Sequence, residues 1–484
     1  MPWLTILAAL PLVGAFATMA IRGKWRVVAG LAVALATLGL AVWATINRSS
    51  LDESHTWIPQ IGASYALRLD GLAGLLVVVS AFLVAAVLVT RLGKDSWQGF
   101  VPLALALEGL SLLTFMAADT LLFFLAFEAT LVPMYFLIGA GGKPRRSAAA
   151  LKFLIYSLAG GLVLLGGIVY LASRGAGTGF AELGGLHFTP GVERTLFVAF
   201  FASFAVKAPV VPLHPWLPDA VEHGRPSSSV LLVGLLDGIG LYGMVRFCFG
   251  LTPGGVTWAA YVISIIALVT VVYGALAAVA SRSLLRMAGF ASVSHAGFMV
   301  LGLFACTSAS MSGAMVYVAA HAISASALIL AAGWAVSRRG DALTKGAFGG
   351  LARRAPVLAG VFLLAGLATL ALPGSANFAA ELSIIVGAWQ RYPILVAVAL
   401  IGVLTAGAYV LWAYQRVFTG EPQAEVDDTL QPGDVNWPAR LGVGAMLAAL
   451  LAFGLYPAPA QQLVADNTVQ AMKQAQVTDP QEGH

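Results

Sequence analysis

Leu121-Leu122-Phe123-Phe124-Leu125-Ala126-Phe127-Glu128-Ala129-Thr130-Leu131-Val132-Pro133-Met134-Tyr135-Phe136-Leu137-Ile138 is an apolar run with one carboxylate in its middle. A spanning helix needs about 20 mostly apolar residues, and residues 120–141 supply them. The same pattern recurs outward from this stretch in both directions. Hydrophobic residues make up 59% of the chain and charged residues only 10%, against about 25% charged in a soluble domain. Too few charges remain to cover a water-facing surface, so lipid covers most of it. The 53 glycines suit membrane helices that pack closely through small residues.

Cutting at charge clusters and Gly/Pro breaks predicts 14 spans, at 3–21, 27–47, 71–91, 98–117, 120–141, 151–173, 195–212, 228–250, 257–280, 287–306, 311–336, 356–390, 393–418 and 439–457. The expected fold class is an all-α integral membrane protein with about 14 transmembrane helices. The twelfth segment is too long for a simple span. It contains Leu372-Pro373-Gly374-Ser375, the mark of a broken helix with an unwound middle. Such breaks persist in a bilayer only where protein or a watery cavity satisfies the freed backbone. Met1–Ile21 has no basic region before its apolar run and reads as a retained helix rather than a cleaved signal.

Basic residues sort by loop. Alternate loops carry 19 of them, from Arg22, Lys24 and Arg26 through Arg91, Lys94, Lys143, Lys152 and Lys345 to Arg416 and Arg440. The opposite loops carry 6: Arg48, Arg68, Arg174, Arg194, Arg391 and Lys473. The positive-inside rule then puts both termini on the outer, non-cytoplasmic face. The net charge of +5 is loop charge of this kind, not a nucleic-acid footprint. The longest loop, between the second and third spans, leaves no room for a soluble catalytic domain. Cys248 and Cys306 lie in apolar stretches without ligand spacing, so no metal site or disulfide framework is expected. No nucleotide, haem or iron–sulfur motif stands in the sequence, and no cofactor is expected. The protein's work belongs to the bilayer.

A charge at the bilayer centre costs about 2.5–3.5 kcal/mol on insertion scales, and those that persist usually face the bundle interior and carry function. Glu128 lies roughly 12 Å into its helix at 1.5 Å per residue, near the midplane, with Pro133 placed to kink that helix. It is either an ion-handling carboxylate or one hydrogen-bonded to a neighbouring helix. Lys207 lies in Phe204-Ala205-Val206-Lys207-Ala208-Pro209. A lysine there switches charge state with its carboxylate partner, as a proton relay needs, or else snorkels to an interface. Glu381 follows the Pro373-Gly374 break, where a transporter places an ion-handling group; the alternative is a carboxylate stabilising the dipole of the second half-helix. His295 and His321 fall on adjacent predicted helices. Histidine titrates nearest neutral pH, although a lone buried histidine is also an ordinary core residue. Glu108 and Asp237 lie mid-helix, as partners for Lys207 or as interhelical hydrogen-bonders. Together these groups are spread over successive helices as a lateral polar axis. A substrate transporter clusters them at one site.

At these residues the chain resembles a known family. Residues Glu128 through Ile138 resemble the fifth-helix signature of the subunit M class of antiporter-like subunits of respiratory complex I, the NADH:quinone oxidoreductase. Phe204-Ala205-Val206-Lys207-Ala208-Pro209 and Leu213-His214-Pro215-Trp216-Leu217-Pro218-Asp219-Ala220 are similar to its seventh helix and following loop. Tyr273-Gly274-Ala275-Leu276 and Ser292-Val293-Ser294-His295-Ala296-Gly297-Phe298 resemble its ninth and tenth helices, and Leu372-Pro373-Gly374 with Glu381 its broken twelfth. The resemblance runs from about residue 100 to 420.

It implies an antiporter-like fold with two inverted five-helix repeats. The division would be residues 1–97 for the first three helices, 98–250 and 251–420 for the repeats, and 421–484 for a loop, the last helix and a tail. Each repeat would have one broken helix, the seventh and the twelfth. Glu128 and Lys207 would be the family's Glu–Lys pair, His295 and His321 its connecting residues, and Glu381 its exit-side site. The resemblance further implies other membrane-arm subunits as partners, protons as the cargo and redox chemistry in those partners, with no redox cofactor in this chain. One departure matters. The eighth helix of the family carries a lysine where this chain reads Leu235-Leu236-Asp237-Gly238-Ile239-Gly240-Leu241-Tyr242-Gly243, with Gly238 at the lysine's place. The loop before it, Glu222-His223-Gly224-Arg225-Pro226-Ser227, also departs from the family's Glu-Ala-Pro-Thr. Asp237 as a relay, water in the space, and a dead path all remain open. Two rivals follow: the D-type component of a multisubunit cation/proton antiporter, and a structural paralogue that no longer conducts.

Overall fold

A computed structural model describes residues 1–93, 97–140, 144–175, 177–339, 349–421 and 433–480. Lys94, Lys143 and Lys345, counted above among the basic loops, lie outside these residues. The chain is helical almost throughout. In order the helices are α1 (Trp3–Ala20), α2 (Lys24–Ile46), α3 (Gly71–Thr90), α4 (Phe100–Met116), α5 (Thr120–Gly139), α6 (Arg146–Ala172), α7 (Pro190–Lys207), α8 (Trp216–His223) and α9 (Pro226–Phe249). They continue as α10 (Pro253–Ala280), α11 (Leu284–Phe304), α12 (Ser308–Arg339), α13 (Pro356–Thr369), α14 (Ala376–Trp389), α15 (Pro393–Phe418), α16 (Trp437–Leu455) and α17 (Ala458–Gln474). Among the described residues, 11 helices are long and apolar enough to cross a membrane, and α4, α13 and α14 are shorter apolar helices.

Burial ranks these helices. In α9, α11 and α12 the apolar stretch is wholly enclosed, whereas α1, α2, α6, α10, α15 and α16 leave more than half of theirs outside. A helix apolar on every side belongs in a core or in lipid. Here the three enclosed helices form the centre, and they carry Asp237, His295 and His321. Small residues bring the backbones together. A Cβ on Gly274 of α10 would lie 2.6 Å from the Ser294 amide of α11, and one on Gly387 of α14 would lie 2.3 Å from the Ser310 amide of α12. Only glycine permits either approach.

Two helices break. The seventh predicted span ends as a helix at Lys207, and Ala208–Pro215 leads irregularly into α8. The prolines at 209, 212 and 215 cannot donate to a helical ladder. The exposed backbone is taken up locally: Val211 N–H donates to Thr270 Oγ1 (3.1 Å) and Leu213 N–H to the Val210 carbonyl (2.7 Å). The twelfth span divides into α13 and α14 around Leu370–Ser375, as its Leu-Pro-Gly-Ser run predicts. Gly374 sits at φ 94°, and Ser375 Oγ accepts from Phe378 N–H (3.3 Å) to cap α14. α5 is interrupted at Thr130, three residues before Pro133, because the missing proline N–H leaves the Ala129 carbonyl without its helical donor.

Three features depart from the expected outline. The loop between α2 and α3 contains an antiparallel hairpin, β1 (Glu53–Ile58) and β2 (Ala63–Leu67), with Glu53 opposite Leu67 and His55 opposite Tyr65. The fold is therefore not purely helical. Glu53 accepts from Leu4 N–H (2.7 Å) and Thr5 Oγ1 (2.6 Å), tying the hairpin to the start of α1. The C-terminal tail forms α17, which packs on α3 and α12; Asn467 on it accepts from Leu72 N–H (2.9 Å). Within α9, two π-helical turns, Leu232–Leu236 and Met244–Phe249, flank an α-helical Asp237–Gly243.

Candidate functional site

Lys207 is the last residue of α7 and is buried. Among the described residues its ammonium has no hydrogen-bond partner. It lies over two aromatic rings instead, 4.8 Å from the centroid of Phe127 and 5.3 Å from that of Phe153. A desolvated cation gains from the negative face of such rings. Two carboxylates stand within its electrostatic reach, Glu128 and Asp237.

Glu128 occupies the α5 turn just before the Thr130 interruption. It is only partly covered, on the flank of α5 that also exposes Leu125 and Val132. Its Oε1 is buried without a hydrogen-bond partner among the described residues. The carboxylate lies against Gly161 of α6, where a Cβ would come within 2.0 Å of Oε1. Asp237 begins the α-helical stretch of α9 directly after the first π turn, and its Oδ1 likewise lacks a partner among the described residues. π turns inside α-helices recur at functional sites because they re-aim side chains. Gly238 faces the other way: a Cβ there would meet only Val318 of α12, at 3.2 Å. Lys207 thus has two acids within its electrostatic reach, and the neighbouring position on α9 faces α12 in the second half of the chain.

That second half carries the histidines. His295 on α11 and His321 on α12 lie with ring centroids 5.1 Å apart. His295 Nδ1 is 2.7 Å from the hydroxyl of Tyr317, and that hydroxyl donates to Glu381 Oε2 of α14 at 3.3 Å. Tyr317 and His321 are one turn apart on α12. A small cavity beside the α13–α14 break is lined by Ser294, His295, Thr369, Leu370 and Glu381, with room for about one water. The Tyr409 hydroxyl of α15 is buried within electrostatic reach of Glu381.

Glu108 is not part of this group. It is fully buried in α4, and among the described residues neither oxygen has a hydrogen-bond partner and no charged group stands beside it. Of the sequence-derived candidates, Glu128, Lys207 and Asp237 come together in one cluster. His295, His321 and Glu381 come together in another. Tyr317, Tyr409 and Gly161 are additions. Tyr317 had a signal in the sequence: it stands four residues before His321, so both fall on one helix face.

Polar clusters cap both ends. On the side of the basic loops, Asp219 of α8 receives Lys152 Nζ of α6 (2.7 Å) and Arg286 Nη1 of α11 (2.8 Å), and Arg286 also reaches Glu222 (2.8 Å). Burial alone would raise the Asp219 carboxyl, but Lys152 and Arg286 hold it below the usual carboxylate range. Trp216 of α8 donates to the Val206 carbonyl (2.8 Å) and packs on Phe153, beside Lys207. On the opposite side a cleft lined by Asp52, Arg68, Glu182 and Asn467 reaches Arg246 of α9. Arg246 pairs with Asp70 and donates to the Tyr242 hydroxyl (2.8 Å), which donates to the Phe115 carbonyl (2.6 Å). From Tyr242 to Lys207 the contacts are rings, with Phe123 and Phe127 stacked at 5.8 Å and Phe247 5.0 Å from Phe123. That run separates Lys207 from the cleft by apolar surface.

Residues 117–406 match the family described as NADH:quinone oxidoreductase/Mrp antiporter, TM. A protein named NADH-quinone oxidoreductase subunit M, from Mycobacterium tuberculosis, is 35% identical over 96% of this chain and 92% of its own length. Among solved structures, a chain of respiratory complex I from Thermus thermophilus superposes with a TM-score of 0.89 at 27% identity, covering 98% of this chain and 99% of that one. A chain of the Mrp complex from a Dietzia species gives a TM-score of 0.87 at 22% identity, covering 98% and 100%. The last likeness is one of fold.

Proposed function

The chain belongs to the NADH:quinone oxidoreductase/Mrp antiporter membrane family, and on that premise we propose that it is a proton-translocating membrane-arm subunit of a complex I-type NADH:quinone oxidoreductase. The observation that carries this reading is the row of ionisable groups on successive helices: Lys207 between Glu128 and Asp237, then His321 and His295, then Glu381 through Tyr317. All but Glu128 are buried within the bundle, where an unpaired charge is expensive and persists for function. Protons move along this row when neighbouring subunits change the pairing of Lys207 with its acids. The redox chemistry takes place in those partners, and this chain acts without a redox centre of its own.

Two further points belong to the proposal. A carboxylate partly open at mid-span, as Glu128 is, favours a neighbouring subunit packed against that flank, since lipid would leave it unsolvated. The bias of basic residues favours both termini on the outer face, with the Lys152–Asp219–Arg286 cluster facing the cytoplasm. The division into repeats at 98–250 and 251–420 accords with one broken helix in each.

The test is NADH-driven proton uptake into inverted membrane vesicles carrying the assembled complex. Glu128→Gln and Lys207→Ala are each expected to lower uptake at least several-fold with the complex still assembled. Wild-type uptake in both would sink the reading. Sodium-dependent proton flux without NADH would instead assign the chain to the cation/proton antiporters, as their D-type component.

A further inference from the structure

We infer that Tyr317 is a proton-carrying residue, whose hydroxyl hands the proton from His295 to Glu381 and gives that transfer its direction. This rests on the proton-translocating reading above and adds a residue and a polarity to it.

The geometry leaves the hydroxyl few choices. It is fully buried and touches two ionisable groups on two other helices, His295 Nδ1 of α11 at 2.7 Å and Glu381 Oε2 of α14 at 3.3 Å, with the neutral Asn377 amide of α14 as a further hydrogen-bond partner. A hydroxyl has one proton to donate, and an ionised carboxylate can only accept. With Glu381 ionised, the Tyr317 proton points at Glu381, and its lone pairs are left for His295 and the Asn377 amide. In that state His295 donates to Tyr317 when Nδ1 carries its proton, as it does in the imidazolium. The chain of donors runs one way, from imidazolium to phenol to carboxylate.

One transfer balances without any other reactant. The Nδ1–H bond of the His295 imidazolium breaks as an O–H bond forms on Tyr317. The original phenolic O–H breaks as an O–H bond forms on Glu381. His295 and Glu381 end neutral, and Tyr317 is again a neutral phenol, its proton now on the His295 side. Restoring the start takes rotation about its C–O bond after Glu381 releases the proton, and then a new proton on the Nδ1 that His295 vacated. His321, its ring 5.1 Å from that of His295, stands on the supplying side.

The two contacts are unequal. O–H···O hydrogen bonds cluster near 2.7–2.8 Å, so the 3.3 Å contact to Glu381 is the loose joint. Glu381 rides on α14, the half-helix beyond the Leu370–Ser375 break. A small movement of that half-helix closes or opens the joint while the His295 contact stays made. The one-water cavity beside His295 and Glu381 offers a competing route, and the experiment must separate the two.

The assembled complex carrying Tyr317→Phe is reconstituted in proteoliposomes, and proton uptake per NADH oxidised is compared with Glu381→Gln and with the double variant. The expected result is a loss of at least about threefold in Tyr317→Phe, equal to that of Glu381→Gln and not deepened in the double variant, as for two members of one path. Fluorotyrosine at 317 keeps the shape and hydrogen bonds of tyrosine but is a stronger acid. It is expected to shift the pH profile of uptake, which a purely structural hydroxyl would not do. Wild-type uptake in Tyr317→Phe, or an unmoved pH profile with fluorotyrosine, overturns the inference. If Glu381→Gln and Lys207→Ala still lose uptake in that case, the proton-translocating reading stands without Tyr317. If they also pump normally, both fall.

Discussion

Gly161 gives Glu128 its seat. A Cβ there would lie 2.0 Å from Oε1 and 2.9 Å from Oε2 of the carboxylate. The group it strikes is the free end of a flexible side chain, so the fold can absorb an alanine while the carboxylate cannot keep its place. Gly161→Ala is expected to leave assembly and thermal stability near wild type and to lower NADH-driven proton uptake several-fold. Uptake unchanged in a folded variant would mean that the position of Glu128 is not critical. The pair also marks what can be read at this scale. Glu128, Lys207 and Glu381 stand out in the sequence because each interrupts an apolar run at a depth where charge is costly. Gly161 and Tyr317 do not stand out, since glycine and tyrosine are ordinary in membrane helices and only the neighbouring helix shows what they do. Glu108 stands out equally, yet among the described residues its carboxylate has no hydrogen-bond partner, because depth in the bilayer does not say which face of a helix a residue occupies.

At the scale of the element, α9 packs on both α7, which ends in Lys207, and α12, which carries His321, so the proposed path between the two clusters depends on it. Its two π turns rotate the stretch between them, so that Asp237 feels Lys207 while Gly238 faces Val318. No residue type announces a π turn, and the sequence alone left open what replaced the lysine. The broken helix at Leu370–Ser375 was legible by contrast, because Pro373 and Gly374 exclude a continuous ladder. The β1–β2 hairpin was not, being short and set beside α1. If Asp237 takes the part of a relay, Asp237→Asn should lower proton uptake about as much as Lys207→Ala. Gly238→Lys should bring no gain, since its side chain enters the α12 side, where Val318 leaves only 3.2 Å at the Cβ. A rise in uptake with Gly238→Lys would show that the native path is impaired at this point and would favour the non-conducting rival.

At the scale of the molecule, the halves meet within the bilayer, where α9 packs on α12 and α7 on α10, and at the basic face, where Asp219 holds Lys152 from α6 and Arg286 from α11. The second joint fixes α8, the helix that carries Trp216 beside Lys207, against both halves. The spans themselves were readable from hydropathy. This joint was not, because loop charges look alike until the chain is folded. Asp219→Asn keeps the shape but removes the charge shared by the two cations. Its expected cost is on the order of 1 kcal/mol, since all three groups are partly exposed and screened. Because the Asp219 carboxyl is held below its ordinary value, its contribution is fully present above about pH 4, the unfolded carboxylate value, and fades as pH falls through the lower folded value. The gap in thermal midpoint between wild type and Asp219→Asn should therefore be constant from neutral pH down to about 4 and close below it. A gap that closed already between about pH 7 and 5 would place its origin in a group other than Asp219. Proton uptake in the same variant should fall as well, because a loosened α8 no longer holds Trp216 against Phe153, the ring beside the ammonium on which the proposed path depends.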